Sequence, residues 1–216
     1  MSNVPDAAQI SDGLSIESTD VETRVSFAQR MDFIPTPEQI ENGLTDPHRA
    51  VRCAWAERRD YTPTAEQVSR GLNDTMWIVQ MAWLQRTDYA ITAEQMESAL
   101  TDGDYDVRAT AIKRRDWIPT QKQVDRGMLD YAFEVRRAWA RNLNWTPTPE
   151  QVERGLNDDD IDVCVAWIER TDYVASEGQI RRGLNDTQEV RDAWALRLEK
   201  EIEENLCARE EHSQHI

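Results

Sequence analysis

The glycines of this chain keep a fixed step. Gly43, Gly71, Gly127, Gly155 and Gly183 stand at multiples of 28 residues from one another, with Ala99 in the one remaining place. A second series, Phe27, Trp55, Trp83, Ala111, Trp139 and Trp167, keeps the same step, and Trp194 falls one residue early. Two registers sharing one period between roughly 20 and 50 residues define a stacked array of short units. A looser copy around Gly13, 30 residues before Gly43, brings the number of units to about seven.

Each unit reads as two helices. Thr36, Thr64, Thr92, Thr120, Thr148 and Ser176 each precede, by three positions, Gln39, Gln67, Gln95, Gln123, Gln151 or Gln179. This is the capping box, in which the hydroxyl and the glutamine side chain satisfy each other's backbone N–H groups. Pro37 and Pro149 occupy the first helical position, where a missing N–H costs nothing. The first helix then runs about eight residues, too few to be stable alone. The second helix is predicted to start at Asp46, Asp74, Asp102, Asp130, Asp158 and Asp186, acting as N-caps, with Pro47 next in the first copy. Val51, Ala54, Trp55 and Arg58 follow at the spacing of one buried stripe, with the arginine stem along it. A helix pair cannot bury that stripe by itself, so neighbours must stack. The expected fold is all-α, with residues 1–6 a disordered N-terminus, 7–198 one repeat domain and 199–216 an acidic capping helix and tail.

Asp46, Val51 and Arg52 recur as Asp102, Val107, Arg108 and as Asp130, Val135, Arg136. This spacing resembles the second-helix signature of HEAT-like repeats, and the stretch "VRCAWAERRDYTPTAEQ" from Val51 is similar to the leucine-rich repeat variant family. The resemblance covers roughly residues 7–198. It implies a right-handed α-solenoid of about seven 28-residue two-helix repeats, tied by an aspartate–arginine ladder between neighbours. Gln80 and Cys164 stand where the ladder needs arginine. The fourth copy lacks the glycine (Ala99), the tryptophan (Ala111) and a proline (Ile91), so either Ile112 or Met96 fills the space or the array bends.

The net charge of -16 opposes direct binding to nucleic acid or anionic membranes and favours a partner with a basic surface. Cys53, Cys164 and Cys207 form no CxxC pair, which suggests neither a disulfide framework nor a zinc site and fits a reducing cytoplasm. No leader and no apolar run long enough for a membrane span is legible. Catalytic motifs are missing as well: there is no HExxH, GxSxG, Walker lysine loop or dinucleotide fingerprint, so no catalytic, cofactor or metal residue is assigned. His212 and His215, near Cys207, read as a solvated tail.

Function is therefore sought where the copies disagree. Position 49 and its equivalents read Arg49, Trp77, Tyr105, Phe133, Ile161 and Glu189, about 160° from Val51 around the helix. The series either packs between repeats, the reading favoured by the apolar equivalents of Ala56 on the same side, or lines a groove in which Trp77, Tyr105 and Phe133 anchor a partner. The second candidates are acids that the helix starts do not call for: Asp104 and Asp106, then Asp159, Asp160 and Asp162. Such carboxylates lie either in solvated loops or in a row that imitates a nucleic-acid backbone, as in acidic inhibitors of restriction or CRISPR systems. Leu198, Ile202 and Leu206 suggest a last helix covering the end of the stack. The sequence favours a non-enzymatic protein-binding solenoid, with the acidic decoy as alternative, and leaves the oligomeric state open.

Overall fold

The computed structural model describes residues 20–213. Among them every regular element is a helix: α1 (Val21–Gln29), α2 (Pro37–Leu44), α3 (Arg49–Glu57), α4 (Ala65–Leu72), α5 (Trp77–Leu84), α6 (Ala93–Leu100), α7 (Tyr105–Ile112), α8 (Gln121–Gly127), α9 (Phe133–Arg141), α10 (Pro149–Leu156), α11 (Ile161–Ile168), α12 (Glu177–Gly183) and α13 (Gln188–Ser213). The chain divides into two compact units, residues 1–117 and 118–216. In the first, α1, α3, α5 and α7 pack side by side, and α2, α4 and α6 each pack on the helix that follows. In the second, α9, α11 and α13 form the row, with α8, α10 and α12 against it. The copy around Gly13 and the N-terminal segment 1–6 lie outside the described residues, and α13 runs without a break through residue 198.

All six capping boxes form, at Thr36, Thr64, Thr92, Thr120, Thr148 and Ser176. At the first, Gln39 N–H donates to Thr36 Oγ1 at 3.2 Å and Thr36 N–H to Gln39 Oε1 at 2.8 Å. Each cap is worth about 1 kcal/mol, a large share for helices of seven or eight residues. The glutamine also reaches the preceding first helix: Gln67 donates to Glu41 at 3.1 Å, Gln151 to Asp125 at 2.8 Å and Gln179 to Glu153 at 3.0 Å. One side chain thus starts a helix and ties it to its neighbour.

The glycine series has a steric cause. None of these glycines has a positive φ. Each instead lets an indole lie against the helix: a Cβ added at Gly43 would sit 2.2 Å from the Trp55 ring, at Gly71 2.0 Å from Trp83 Nε1, and at Gly155 2.1 Å from Trp167 Nε1. The fourth copy changes both partners together, and Ala99 and Ala111 are both buried. A methyl group on each side replaces the hydrogen-and-indole pair, and Ile112 and Met96 are buried in the same copy.

The second helices begin two residues later than the sequence suggests. Their N-caps are His48 in α3, Met76 in α5, Asp104 in α7, Ala132 in α9 and Asp160 in α11, so Pro47 precedes the cap. The aspartates read as caps make Asx-turns: Asp46 accepts the N–H of His48, Asp74 that of Met76, Asp102 that of Asp104 and Asp158 that of Asp160, at 2.8 to 3.0 Å. This leaves a carboxylate oxygen for the neighbour. Arg24 pairs with Asp46, Arg52 with Asp74 and Arg136 with Asp158, at 2.7 to 2.8 Å. Gln80 keeps a neutral rung, donating to Asp102 at 3.2 Å, whereas Cys164 turns to its own helix start, the Asp158 carbonyl, at 3.1 Å.

A second row of arginines runs through the core, and here the expected packing role of Arg58 is too modest. The Arg86 guanidinium is fully buried and donates to the carbonyls of Ala56 (3.0 Å), Arg58 (2.7 Å) and Tyr61 (3.1 Å), while pairing with Asp88 at 2.6 Å. It lies over Tyr61 at 4.6 Å and Trp83 at 5.2 Å. Arg58, Arg114 and Arg170 repeat the arrangement on the carbonyls of Ala28, Leu84 and Ala140. Arginine alone presents a planar fork of donors able to meet three carbonyls and a carboxylate while stacking on rings.

Candidate functional site

The N-terminal rims of the second helices carry the irregular residues. In the first unit, Trp77 opens α5 and is 41% exposed, Ile78 beside it is 38% exposed, and Tyr105 opens α7 at 39%. Trp77 and Tyr105 lie on the same helical face as the Ala56 series, yet Ala56, Leu84 and Ile112 are fully buried. Seven residues are two turns, or about 10 Å along the helix, so one face is sunk in the core at its end and open at its start. The packing reading therefore fits the C-terminal half of the face, while the rim stays partly exposed.

The acids of the rim have definite structural partners. Asp104 is the N-cap of α7 and accepts the Asp106 N–H at 2.9 Å; Asp160 caps α11 and accepts from Asp162 at 3.0 Å. Both were expected to be superfluous as caps, a consequence of placing the helix starts two residues early. In the second unit Asp159 pairs with Arg136 at 2.7 Å and Asp162 with Arg137 at 2.8 Å. Asp106 is different: it is half-buried and no cation pairs with it among the described residues.

Phe133 opens α9 half-buried, and Arg137, one turn on, lies over its ring at 5.6 Å while reaching Asp162 on α11. Ile161 opens α11, 42% exposed. Ile78, Met81 and Arg137 escaped the sequence reading. Their signal was available, since positions 50 and 53 vary between copies as freely as position 49: Ala50, Ile78, Asp106, Asp162 and Cys53, Met81, Arg137, Val165. On α13, Leu198 is half-buried and Ile202 is 60% exposed, while the side chain of Leu206 lies outside the described residues.

The titrating groups behave as scaffold. Burial, with Glu57 nearby, pushes the Cys53 thiol up to about 11, and burial with Asp158 nearby does the same for Cys164. Hydrogen bonds from Arg70 and Gln67 hold Glu41 below the usual carboxylate range. Burial raises Asp158, but the hydrogen bonds from Arg136 and the Asp160 backbone outweigh it and the net shift is downward. No group of three or more His, Cys, Asp or Glu among the described residues is placed to hold a metal ion. No helix among them is long and apolar enough to cross a membrane.

No family model and no curated protein matches the chain. A solved structure, described as a leucine-rich repeat variant with a novel repetitive protein structural motif, aligns with a TM-score of 0.57 at 26% identity, over 85% of this chain and 71% of that one. The chain resembles a leucine-rich repeat variant. It is an all-α, repeat-like solenoid, as the helix rows and the residues around Val51 suggest.

Proposed function

We propose that the chain is a non-enzymatic, right-handed α-solenoid of about seven 28-residue repeats that binds another protein, in the cytoplasm, through the rim of its second helices. The observation that carries this reading is the exposure of Trp77 and Ile78, side by side at positions where the copies disagree, in a chain whose recurring tryptophans are all buried. Tryptophan is among the residues that dominate interface energetics. A basic-surfaced partner suits the net charge of -16. Four of the five acids that raise the decoy reading are engaged instead, Asp104 and Asp160 as caps and Asp159 and Asp162 in ion pairs, which leaves Asp106. That favours the apolar rim over a carboxylate row as the binding element.

The test is capture of partners from native-host extract at low and moderate salt by the wild type and by the Trp77→Ala, Ile78→Ser double variant. A partner held by the wild type at both salts and lost from the variant supports the rim. A partner held equally by both, and released by salt alone, overturns it.

A further inference from the structure

The repeats act as templates for one another. In the second unit three positions cooperate: Phe133 opening α9, Arg137 one turn later, and Asp162 at the second position of α11. The Arg137 guanidinium lies 5.6 Å from the centre of the Phe133 ring and donates to Asp162 at 2.8 Å. Fifty-six residues earlier the same positions are Trp77, Met81 and Asp106, on α5 and α7, which pack together as α9 and α11 do. The aromatic ring and the carboxylate are kept, and the ring is enlarged to tryptophan, the strongest cation–π partner. Only the cation is gone. Methionine is an unbranched, adaptable apolar side chain; Met81 is half-buried one turn after Trp77, and no cation pairs with Asp106 among the described residues.

We propose that Trp77, Met81 and Asp106 form a receptor for an arginine side chain supplied by a basic protein partner. The inference rests on the docking rim proposed above and adds the chemistry of its occupant. Asp106 provides the charge-assisted acceptor, Trp77 the face on which a planar guanidinium stacks, and Met81 the apolar bed for its methylene stem. Ile78 follows Trp77 and is itself 38% exposed, and Asp104 caps the helix that carries Asp106, so a segment with apolar residues flanking the arginine suits this rim. Lysine fits less well, because a compact, strongly hydrated ammonium neither stacks as a plane nor donates in a fork.

The test uses a capped pentapeptide with one arginine flanked by leucines, and its lysine and citrulline counterparts, titrated against the full chain. The readout is the Trp77 indole N–H resonance, identified by its loss in Trp77→Phe. The arginine peptide is expected to bind at least ~10-fold more tightly than either counterpart. Met81→Arg supplies the missing cation internally: it should copy Arg137, weaken the arginine peptide at least ~10-fold and leave the thermal midpoint unlowered. Asp106→Asn should weaken it similarly. Equal binding of arginine and lysine peptides, or undiminished binding to both Met81→Arg and Asp106→Asn, overturns the proposal. The two levels separate with the host partner: if Met81→Arg keeps it while Trp77→Ala loses it, the arginine receptor is wrong and the rim stands. If Trp77→Ala also keeps it, both fall.

Discussion

Substituting Gly71 and Trp83 singly and together exposes the contact on which the repeat is built. A Cβ at residue 71 would lie 2.0 Å from Trp83 Nε1, 2.2 Å from Cδ1 and 2.3 Å from Cε2. Ordinary carbon contacts are about 3.5 to 4.0 Å, so the indole must retreat by more than 1 Å or the helices must part. Retreat is blocked on the flanks, since Trp83 is fully buried, carries the Arg86 guanidinium at 5.2 Å and meets Tyr89 edge-on at 6.4 Å. Gly71→Ala should therefore cost about 3 kcal/mol, the upper part of the range for overpacking. Trp83→Ala should cost about 3 to 5 kcal/mol through its cavity. Independent sites would add to about 6 to 8 kcal/mol. Here the clash disappears with the indole, so the double variant should cost no more than Trp83→Ala alone, a coupling of about 3 kcal/mol. The fourth copy already carries this pair as Ala99 and Ala111, both buried. Urea unfolding by circular dichroism, with the slope checked for constancy, measures the cycle. Additive costs, or a Gly71→Ala penalty below about 0.5 kcal/mol, would refute the steric account of the glycine series.

Arg86→Met should destabilise by about 3 to 5 kcal/mol, because three carbonyls and Asp88 lose their buried partner. Arg86→Lys should recover less than half of that in the same urea assay, since an ammonium cannot span the four acceptors. Native protein should expose one thiol, Cys207, to a water-soluble disulfide reagent at neutral pH, and all three only after denaturation, because Cys53 and Cys164 are buried with thiols pushed up to about 11. Glu41 and Asp158 are held below their ordinary values, so their contribution is present at neutral pH and is lost as pH falls below about 4. Asp158→Asn should flatten that acid limb in unfolding curves taken from pH 6 to pH 3, and an unchanged limb would argue against the pairing.

Much of the scaffold was legible because it is written in local chemistry repeated at one spacing. A hydroxyl three residues before a glutamine needs no tertiary knowledge, and all six boxes form where they are read. The aspartates were harder. An Asx-turn and an N-cap use the same residue type and differ by two positions, and only the cross-repeat arginine distinguishes them. The sequence places the stems of the core arginines along the buried stripe but not their head groups, because the acceptors are backbone carbonyls 25 to 30 residues back, which no side-chain pattern advertises. Their sequence signal is the aspartate two residues on, as in Arg58/Asp60, Arg86/Asp88, Arg114/Asp116 and Arg170/Asp172. The rim was half legible: helical angle placed Trp77 and Ala56 on one face, but depth along an eight- or nine-residue helix is a property of the packed row.

The most direct measurement is the affinity of a host partner, by titration calorimetry, for the wild type, for Trp77→Ala, and for the compensated Gly71→Ala, Trp83→Ala pair below its unfolding midpoint. If irregular residues choose the partner and recurring ones hold the stack, Trp77→Ala weakens binding at least ~30-fold with its thermal midpoint unchanged, as expected for an interface hot spot, while the pair loses stability and keeps its affinity. Binding that survives Trp77→Ala and fails in the scaffold pair would contradict that division of labour.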